Sequence, residues 1–294
     1  MNFDYLASLV VSGLVVGTMY GLVAMGFAII YKVSRVVNFA QGEVMMLIAF
    51  VAYSVALRVN GSLPLVVLSV LVASVILGAL IERLVIRPML GQPTFSIVMM
   101  TIALAVLLRS IIGLIWGTDP MRMPAMGAGG VAPISVLGAN IQPAQMALVG
   151  VYLAACAGVW AFLRFSVIGI AMRATATDPT IALLMGLSVR KLYRVAWILS
   201  ALLAGLAGLL FANIYHVGLD MGHVGIQAFP ATILGGLDSI LGSALAGLMI
   251  GVAENLAGGY IGSGYKEIAG FAIILVVMML RPHGLFGEKD IERV

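Results

Sequence analysis

Long apolar runs bounded by polar residues divide this chain almost from end to end. A helix needs about 20 apolar residues to cross the hydrocarbon core of a bilayer. Seven runs approach or exceed this length: 6–30, 39–58, 64–86, 94–116, 144–163, 193–215 and 265–280. An eighth region, 226–258, is apolar but is interrupted by Gly235-Gly236 and Asp238. Since no run alternates as a β-barrel strand does, we predict an all-α, polytopic transmembrane helical bundle. It has about eight membrane elements in a single domain, 1–294.

The composition indicates that this chain folds in a lipid bilayer and not in water. Hydrophobic residues fill 62% of the 294 positions and charged residues 10%, whereas a soluble domain carries about a quarter charged residues. A net charge of +4 is the usual result of basic cytoplasmic loops in a membrane protein. The single cysteine, Cys156, lies within a predicted span, which excludes disulfides and thiolate metal sites.

Basic residues set the predicted orientation. Lys32 and Arg35 follow the first run, whereas only Asp4 precedes it. The positive-inside rule therefore places the N-terminus outside and residue 32 in the cytoplasm. Carried through the spans, this orientation also puts the polar, basic loop 164–192 and the C-terminus in the cytoplasm.

The interrupted region must begin and end on the outer side if the last span is to end inside. We predict a short descending helix near 227–236, a Gly-Gly-Leu-Asp turn, and an ascending helix near 239–257 with Asp238 as its N-cap. Transporters use such broken helices where irregular backbone lines a cavity.

Each half of the chain has a span followed by a polar stretch and a short helix, which indicates a faint inverted repeat. A polar stretch after Tyr31 leads into Gln41–Glu43, and another after Tyr215 leads into Gln227–Phe229. The two spans that precede these stretches run in opposite directions through the membrane in the predicted topology.

A short helix is predicted over 178–186, within the loop 164–192. Asp178 and Pro179 suit the N-cap and first helical positions, and Gly186 is a natural stop. Its apolar side chains are Ile181, Ala182, Leu184 and Met185. Because two turns are too short to be stable alone, this helix needs a surface. It either lies on the headgroups or its own bundle, or it is a coupling helix inserted into a cytoplasmic partner.

Several segments stand out together by their order and spacing. The most specific are Val37-Asn38-Phe39-Ala40-Gln41-Gly42-Glu43 and the loop from Gly169 through Arg173 and Asp178 to Gly186. Others are Glu82-Arg83, Arg87-Pro88, Ala228–Gly236, Tyr265-Lys266-Glu267 and Pro282–Gly287. Over nearly the whole chain, in collinear order, these segments resemble the LivH-type permeases of branched-chain amino-acid ABC importers.

The resemblance implies a permease subunit of an ATP-driven importer in the bacterial inner (cytoplasmic) membrane, with a periplasmic N-terminus. It implies a second, LivM-type permease, two ABC ATPase subunits and a periplasmic solute-binding protein as partners, besides membrane lipid. No cofactor, metal or nucleic acid is implied. The family also includes relatives that import urea, short amides or aromatic acids, so the substrate is left open. The choice between homo- and heterodimeric pairing of the permeases is open as well. The implied ATPase-coupling residues are Arg173, Asp178, Pro179, Ile181, Leu184, Met185 and Gly186.

Polar and glycine-rich positions in the membrane are the candidates for the translocation path. They are Asn38, Gln41, Gly42, Glu43, Gly235, Gly236 and Asp238. Asn38, Gln41 and Glu43 are predicted at the cytoplasmic start of the second span, where they either line the inner mouth of the path or cap the helix. Gln41 stands where the family usually has His, and it cannot titrate.

Two further sets of charged residues have structural interpretations. Arg109 lies deep in the fourth run, so we favour a snorkelling or paired arginine. Glu254 and Asn255 are candidate partners for it or for another chain. Glu82 and Arg83 are predicted to form a solvated helix end at the cytoplasmic interface.

Rival functions lack their sequence signatures. The chain has no H-E-x-x-H, no nucleophile elbow and no phosphate loop G-x-x-x-x-G-K-[ST], so we expect no enzyme activity, and ATP hydrolysis would need separate subunits. A secondary transporter would require buried ionisable groups that carry coupling ions, of which few are present. A passive channel would also suit the broken helix.

Overall fold

The computed structural model describes residues 3–124, 134–136, 139–177 and 179–287. The helices of the first half are α1 (Phe3–Ser34), α2 (Gln41–Arg58), α3 (Leu63–Ile81) and α4 (Thr94–Trp116). The middle part contains a short antiparallel hairpin, β1 (Ile134–Val136) and β2 (Ala139–Ile141), then α5 (Pro143–Phe165), α6 (Val167–Thr177) and α7 (Pro179–Leu184). The last part consists of α8 (Val189–Ile214), α9 (Met221–Gly235), α10 (Ile240–Tyr260) and α11 (Lys266–Leu280).

Eight of these helices are long and apolar enough to cross a membrane, namely α1 to α5, α8, α10 and α11, with short extensions of α3 and α11 included. This confirms the predicted polytopic helical bundle. The interrupted region is the pair α9 and α10, which extends the predicted helices to Met221 and Tyr260. The N-cap of α10 is Ser239, whose Oγ accepts a hydrogen bond from the Gly242 amide at 3.2 Å. The prediction of Asp238 as this cap was wrong.

The most buried of the eight spans is α1. Its glycines at four-residue spacing, Gly13, Gly17 and Gly21, lie directly against the backbone of α10. A Cβ added to Gly17 would lie 2.7 Å from the Cα of Leu248. Small residues at this spacing let two helix backbones approach to van der Waals contact. The glycine stripe is thus used for packing within the chain.

The two halves of the bundle exchange packing partners. α1 packs against α10 while α8 packs against α3, and α2 packs on α8 while α9 packs on α1. α1 and α8 are antiparallel, because Gly26 contacts Ser200 whereas Val16 lies near Phe211. An inverted repeat has this exchange as its signature, so the packing supports the repeat that the sequence indicates faintly.

One membrane face contains the ends of α1 and α3 and the beginning of α8. Ser34, Ile86 and Tyr193 line one cavity there, and Lys32 and Arg35 lie in and just after the last turn of α1. We call this the basic face, and the other side the opposite face.

Replacing Gly17 with valine should destabilise the bundle by about 1–3 kcal/mol, because the added carbons overlap the backbone of α10. Gly150→Ala on α5 is the matched control. A Cβ at Gly150 meets no atom within 4 Å, and alanine favours a helix over glycine by up to about 1 kcal/mol. Thermal unfolding in detergent gives both values. An unchanged unfolding midpoint for Gly17→Val would contradict the close contact of α1 with α10.

Candidate functional site

The chain folds back between α1 and α2, so that α2 begins inside the bundle. The Gln41 side chain packs against Gly26, about two turns or roughly 12 Å before the end of α1. Its Oε1 accepts a hydrogen bond from Ser200 Oγ at 3.0 Å, and its Nε2 donates to the Ser200 carbonyl at 3.3 Å. The segment lies at the start of α2, as the sequence predicts, and inside the bundle rather than at its surface.

Asn38 and its neighbours satisfy the backbone at this buried helix start. Asn38 Oδ1 accepts from the Ala40 amide at 3.1 Å, while its Nδ2 donates to Gln41 Oε1 at 3.0 Å. The Phe39 amide donates to Thr101 Oγ1 on α4 at 3.2 Å. Asn38 and Gln41 are each 1% exposed. Of the two interpretations left open by the sequence, the geometry favours the structural one for these two residues, through packing and through bonds to the segment before the helix, because no side chain caps α2 itself.

α2 and α9 begin at the same depth and touch there. Gly42 has no room for a side chain against the Gly222 carbonyl, and a Cβ added to Gly225 would lie 2.6 Å from the Gly42 Cα. Each helix brings the positive end of its dipole to this point. We call this contact the helix crossing. It places two of the predicted path residues, Gly42 and the adjacent Glu43, deep in the bundle.

Three ionisable side chains gather beside the helix crossing. A Cβ placed on Gly222 would lie 2.9 Å from Glu43 Oε1 and 3.7 Å from Arg109 Nη1. Arg109 and His223 both interact electrostatically with the half-buried Glu43, and His223 is exposed. Arg109 thus neighbours Glu43. His223 was not predicted as a site residue because the start of α9 was predicted six residues too late.

A second polar cluster surrounds Glu254, which is 2% exposed on α10. Tyr20 Oη lies 2.9 Å from Glu254 Oε2 and 3.0 Å from Gln227 Oε1, and Gln227 Nε2 donates to Glu267 Oε1 at 3.0 Å. One hydroxyl hydrogen cannot be donated to two acceptors at once. A proton on Glu254 completes the chain, because Glu254 then donates to Tyr20 and Tyr20 donates to Gln227.

The sequence offered Glu254 and Asn255 as candidate partners of Arg109 or of another chain, and the first of these alternatives is wrong. Glu254 bonds to Tyr20, and Asn255 Nδ2 donates to the Gly251 carbonyl at 2.9 Å within its own helix. Within the residues that the structure describes, no group of three or more His, Cys, Asp or Glu could hold a metal ion.

The remaining path candidates lie elsewhere, at the basic face. Gly236 has a φ of +99°, and a Cβ there would lie 2.6 Å from the Gly287 amide nitrogen. Gly235 is packed equally closely against α10. The carbonyl of Asp238 accepts a hydrogen bond from Lys32 Nζ at 2.9 Å. Ten residues of α9, about 15 Å, separate this turn from Gly225, so the candidates form two groups.

The loop between α5 and α8 carries the predicted coupling helix. The Gly186 amide donates to the Leu183 carbonyl and the Leu187 amide to the Ala182 carbonyl, both at 3.0 Å. With Gly186 at a φ of +78°, these bonds form the predicted glycine stop. Leu184 is 82% and Met185 77% exposed. Asp178 lies outside the described residues, as do the side chains of Pro179 and Ile181.

One hydrogen bond ties this loop to the end of α1, and a group of ion pairs lies nearby between α3 and α8. Arg35 Nη2 donates to the Ala176 carbonyl at the end of α6, at 3.2 Å. Glu82 is 1% exposed and accepts from Arg87 and from Arg194 of α8, with ion-pair distances of 3.1 and 3.3 Å. The predicted solvated end at Glu82 was therefore wrong. Arg173 is exposed on α6.

Comparison with known proteins gives a consistent result over the whole chain. A family model described as the permease component of the branched-chain amino acid transport system matches residues 9–280. The high-affinity branched-chain amino acid transport system permease LivH of Salmonella typhimurium is 30% identical over 305 residues, covering 100% of this chain and 99% of its own length. The corresponding permease BraD of Pseudomonas aeruginosa is 32% identical over 304 residues, covering 99% of each. No solved structure matches this chain significantly.

The hydrogen-bond chain at Glu254 predicts a difference between two conservative variants. Tyr20→Phe should destabilise the protein by about 1–3 kcal/mol, because Glu254 and Gln227 lose the hydroxyl that they share. Glu254→Gln should cost much less, because a carboxamide still donates to Tyr20. Tyr5→Phe, which removes an exposed hydroxyl bonded to the Gly259 carbonyl, is the control, with an expected change within about 0.5 kcal/mol. These values come from thermal unfolding, and a Glu254→Gln protein as unstable as Tyr20→Phe would contradict the proton on Glu254.

Proposed function

The chain belongs to the family of permease components of branched-chain amino acid transport systems, and from this membership we infer its function. It is a membrane-spanning permease subunit of an ABC importer and not an enzyme. The solutes that it passes are branched-chain amino acids, as the names of its relatives state for those proteins.

We propose that the chain works beside a LivM-type permease, two ABC ATPases and a periplasmic solute-binding protein. The absence of a phosphate loop from the sequence supports separate ATPases. The protein lies in the bacterial inner membrane with its basic face in the cytoplasm and its N-terminus in the periplasm. The basic residues that follow α1 and fill the loop 164–192 support this orientation.

The coupling helix 178–186 docks into an ATPase subunit. The observation that carries this assignment is the exposure of Leu184 and Met185 at the end of a two-turn helix. Burying each of them in a groove would contribute about 1.5–3 kcal/mol, which is enough to hold a contact through an ATP cycle. Movement of this helix then reaches the bundle through α6, which is bonded to Arg35 just beyond the end of α1.

The translocation path follows the surface beside the helix crossing, facing the second permease. Phe39 is 41% exposed there, and His223 is also exposed. Glu43 is half-buried, with Arg109 and His223 as its charged neighbours. Asn38, Gln41 and Gly42 hold the backbone behind this surface, while Gly235, Gly236 and Asp238 form the turn at the basic face where the path ends. Polar groups at membrane depth are costly and mark pathways when they face a cavity.

Leu184→Asp should uncouple uptake from ATP hydrolysis, because an unpaired carboxylate would be buried in the ATPase groove. Leu184→Met is the matched control and should transport normally, since it keeps an apolar side chain of similar volume. Leucine uptake and ATPase rate, measured together on the reconstituted complex, test both variants. Wild-type uptake by the Leu184→Asp protein with its ATPases bound would refute the coupling assignment.

Single cysteines test the path after Cys156 is replaced by alanine. Phe39→Cys and His223→Cys should react with a small polar thiol reagent and be protected by leucine. Ala40→Cys should stay unreactive, because this position is 0% exposed. If Phe39→Cys and His223→Cys are both unlabelled in every nucleotide state of an active complex, the path lies elsewhere.

A further inference from the structure

A cavity of about 180 Å³ lies between α1, α8, α9 and α11 at the second break of the bundle, where α8 ends and α9 begins. Tyr215 follows the last residue of α8, and Val224 and Gln227 belong to the first two turns of α9. The volume is well below the roughly 300–1,000 Å³ of pockets for drug-sized ligands. The cavity therefore suits a small solute.

One part of the cavity wall is apolar. It is formed by Val16 and Met19 of α1, Phe211 of α8 and Val224 of α9. Met19, Val224 and Val16 are 2%, 6% and 8% exposed, so these side chains are held in place by packing. An apolar wall favours an aliphatic group, whose burial is favourable by about 0.8 kcal/mol per methylene.

The other part is polar and carries a cation. Lys266, the first residue of α11, lines the cavity together with Tyr20, Tyr215 and Gln227. In the described part of the chain, no carboxylate forms a salt bridge with Lys266 within 4 Å. The nearby carboxyl groups already have hydrogen-bond partners, since Glu254 is bonded to Tyr20 and Glu267 to Gln227. Lys266 thus brings a positive charge, which also acts on Glu254, to a half-open cavity.

The polar groups of the cavity differ in character. Lys266 can donate only, whereas Tyr20 and Gln227 carry oxygen acceptors. Glu267 does not line the cavity, but it accepts a hydrogen bond from Gln227 and adds a negative charge beside the lining. A solute with a carboxylate, an ammonium group and a short aliphatic side chain satisfies the donor, the acceptors and the apolar wall together. A plain acid leaves the acceptors unused, and a plain amine leaves Lys266 unused.

We propose that this cavity binds one aliphatic amino acid as its zwitterion, with the carboxylate on Lys266 and the side chain among Val16, Met19 and Val224. The ammonium group lies toward Gln227 and Glu267. This proposal rests on the proposed function and adds to it a solute site built from this chain alone. The site is one helical turn of α9 from His223, so it adjoins the helix crossing.

Direct binding of tritiated L-leucine tests the site. The probe is added to the transporter complex purified through this chain, in lipid nanodiscs without any soluble binding protein. Lys266→Met should weaken binding by about tenfold to a hundredfold, the range for a lost hydrogen bond to a charged group. Lys191→Met, at an exposed lysine near the start of α8, should bind like the wild type. A wild-type complex that binds no leucine, or equal binding by Lys266→Met, overturns the proposal.

A second variant and two analogues make the test independent of the stability of Lys266→Met. Val224→Phe fills the cavity without changing any charge and should also abolish binding, with an unfolding midpoint measured alongside. Isovaleric acid and isoamylamine, each lacking one charged group of leucine, should both compete poorly. Wild-type binding by Val224→Phe, or an amine that competes as well as leucine, overturns the assignment.

ATP-driven leucine uptake by cells carrying the complete system separates the two proposals. If the wild type imports leucine while Lys266→Met and Val224→Phe bind it normally, the cavity assignment fails and the proposed function stands. If the wild type imports no branched-chain amino acid, the proposed function fails.

Discussion

Every backbone amide and carbonyl group inside a bilayer needs a partner within the protein, and this requirement governs the two helices that begin inside the bundle. At the start of α2, Asn38 and Thr101 accept the amide hydrogens that no helical turn can satisfy. At the same depth α9 begins against α2, which is possible only because Gly42 and Gly225 lack side chains. The polar, ionisable surface beside this crossing exists because the amide groups before α2 find partners and because the glycines let α9 approach α2.

The last turns of α1 connect this interior to the basic face. Lys32 holds the turn between α9 and α10 through the Asp238 carbonyl, and Arg35 holds the end of α6 through the Ala176 carbonyl. Above them, α1 is fixed to α10 by glycine contacts along three turns. One rigid helix therefore links the exposed loop, the broken element and the helix crossing, and it is also the helix that contributes Tyr20 to the polar cluster at Glu254.

The spans could be predicted from the sequence because bilayer thickness alone sets their length, and the broken element because Gly235, Gly236 and Asp238 interrupt an apolar run. The end of the predicted coupling helix likewise followed from the local signal of Gly186. What could not be predicted were contacts between residues far apart in the chain. The depth of Gln41 depends on Gly26 and Ser200, and the partner of Glu254 is Tyr20. Adjacent Asp238 and Ser239 are both good caps, and only the turn geometry selects Ser239.

The buried bond between Gln41 and Ser200 also constrains how the protein is made. The two residues are 159 positions apart, which at about 5–20 residues per second corresponds to roughly 10–30 s of synthesis. During that interval the Gln41 amide has no Ser200 to bind, so the segment 35–40 cannot yet be held in its final depth. Insertion of α8 is therefore required before the first half of the protein can reach its final packing, and a nascent chain arrested before Ser200 would leave the buried Gln41 amide without this partner.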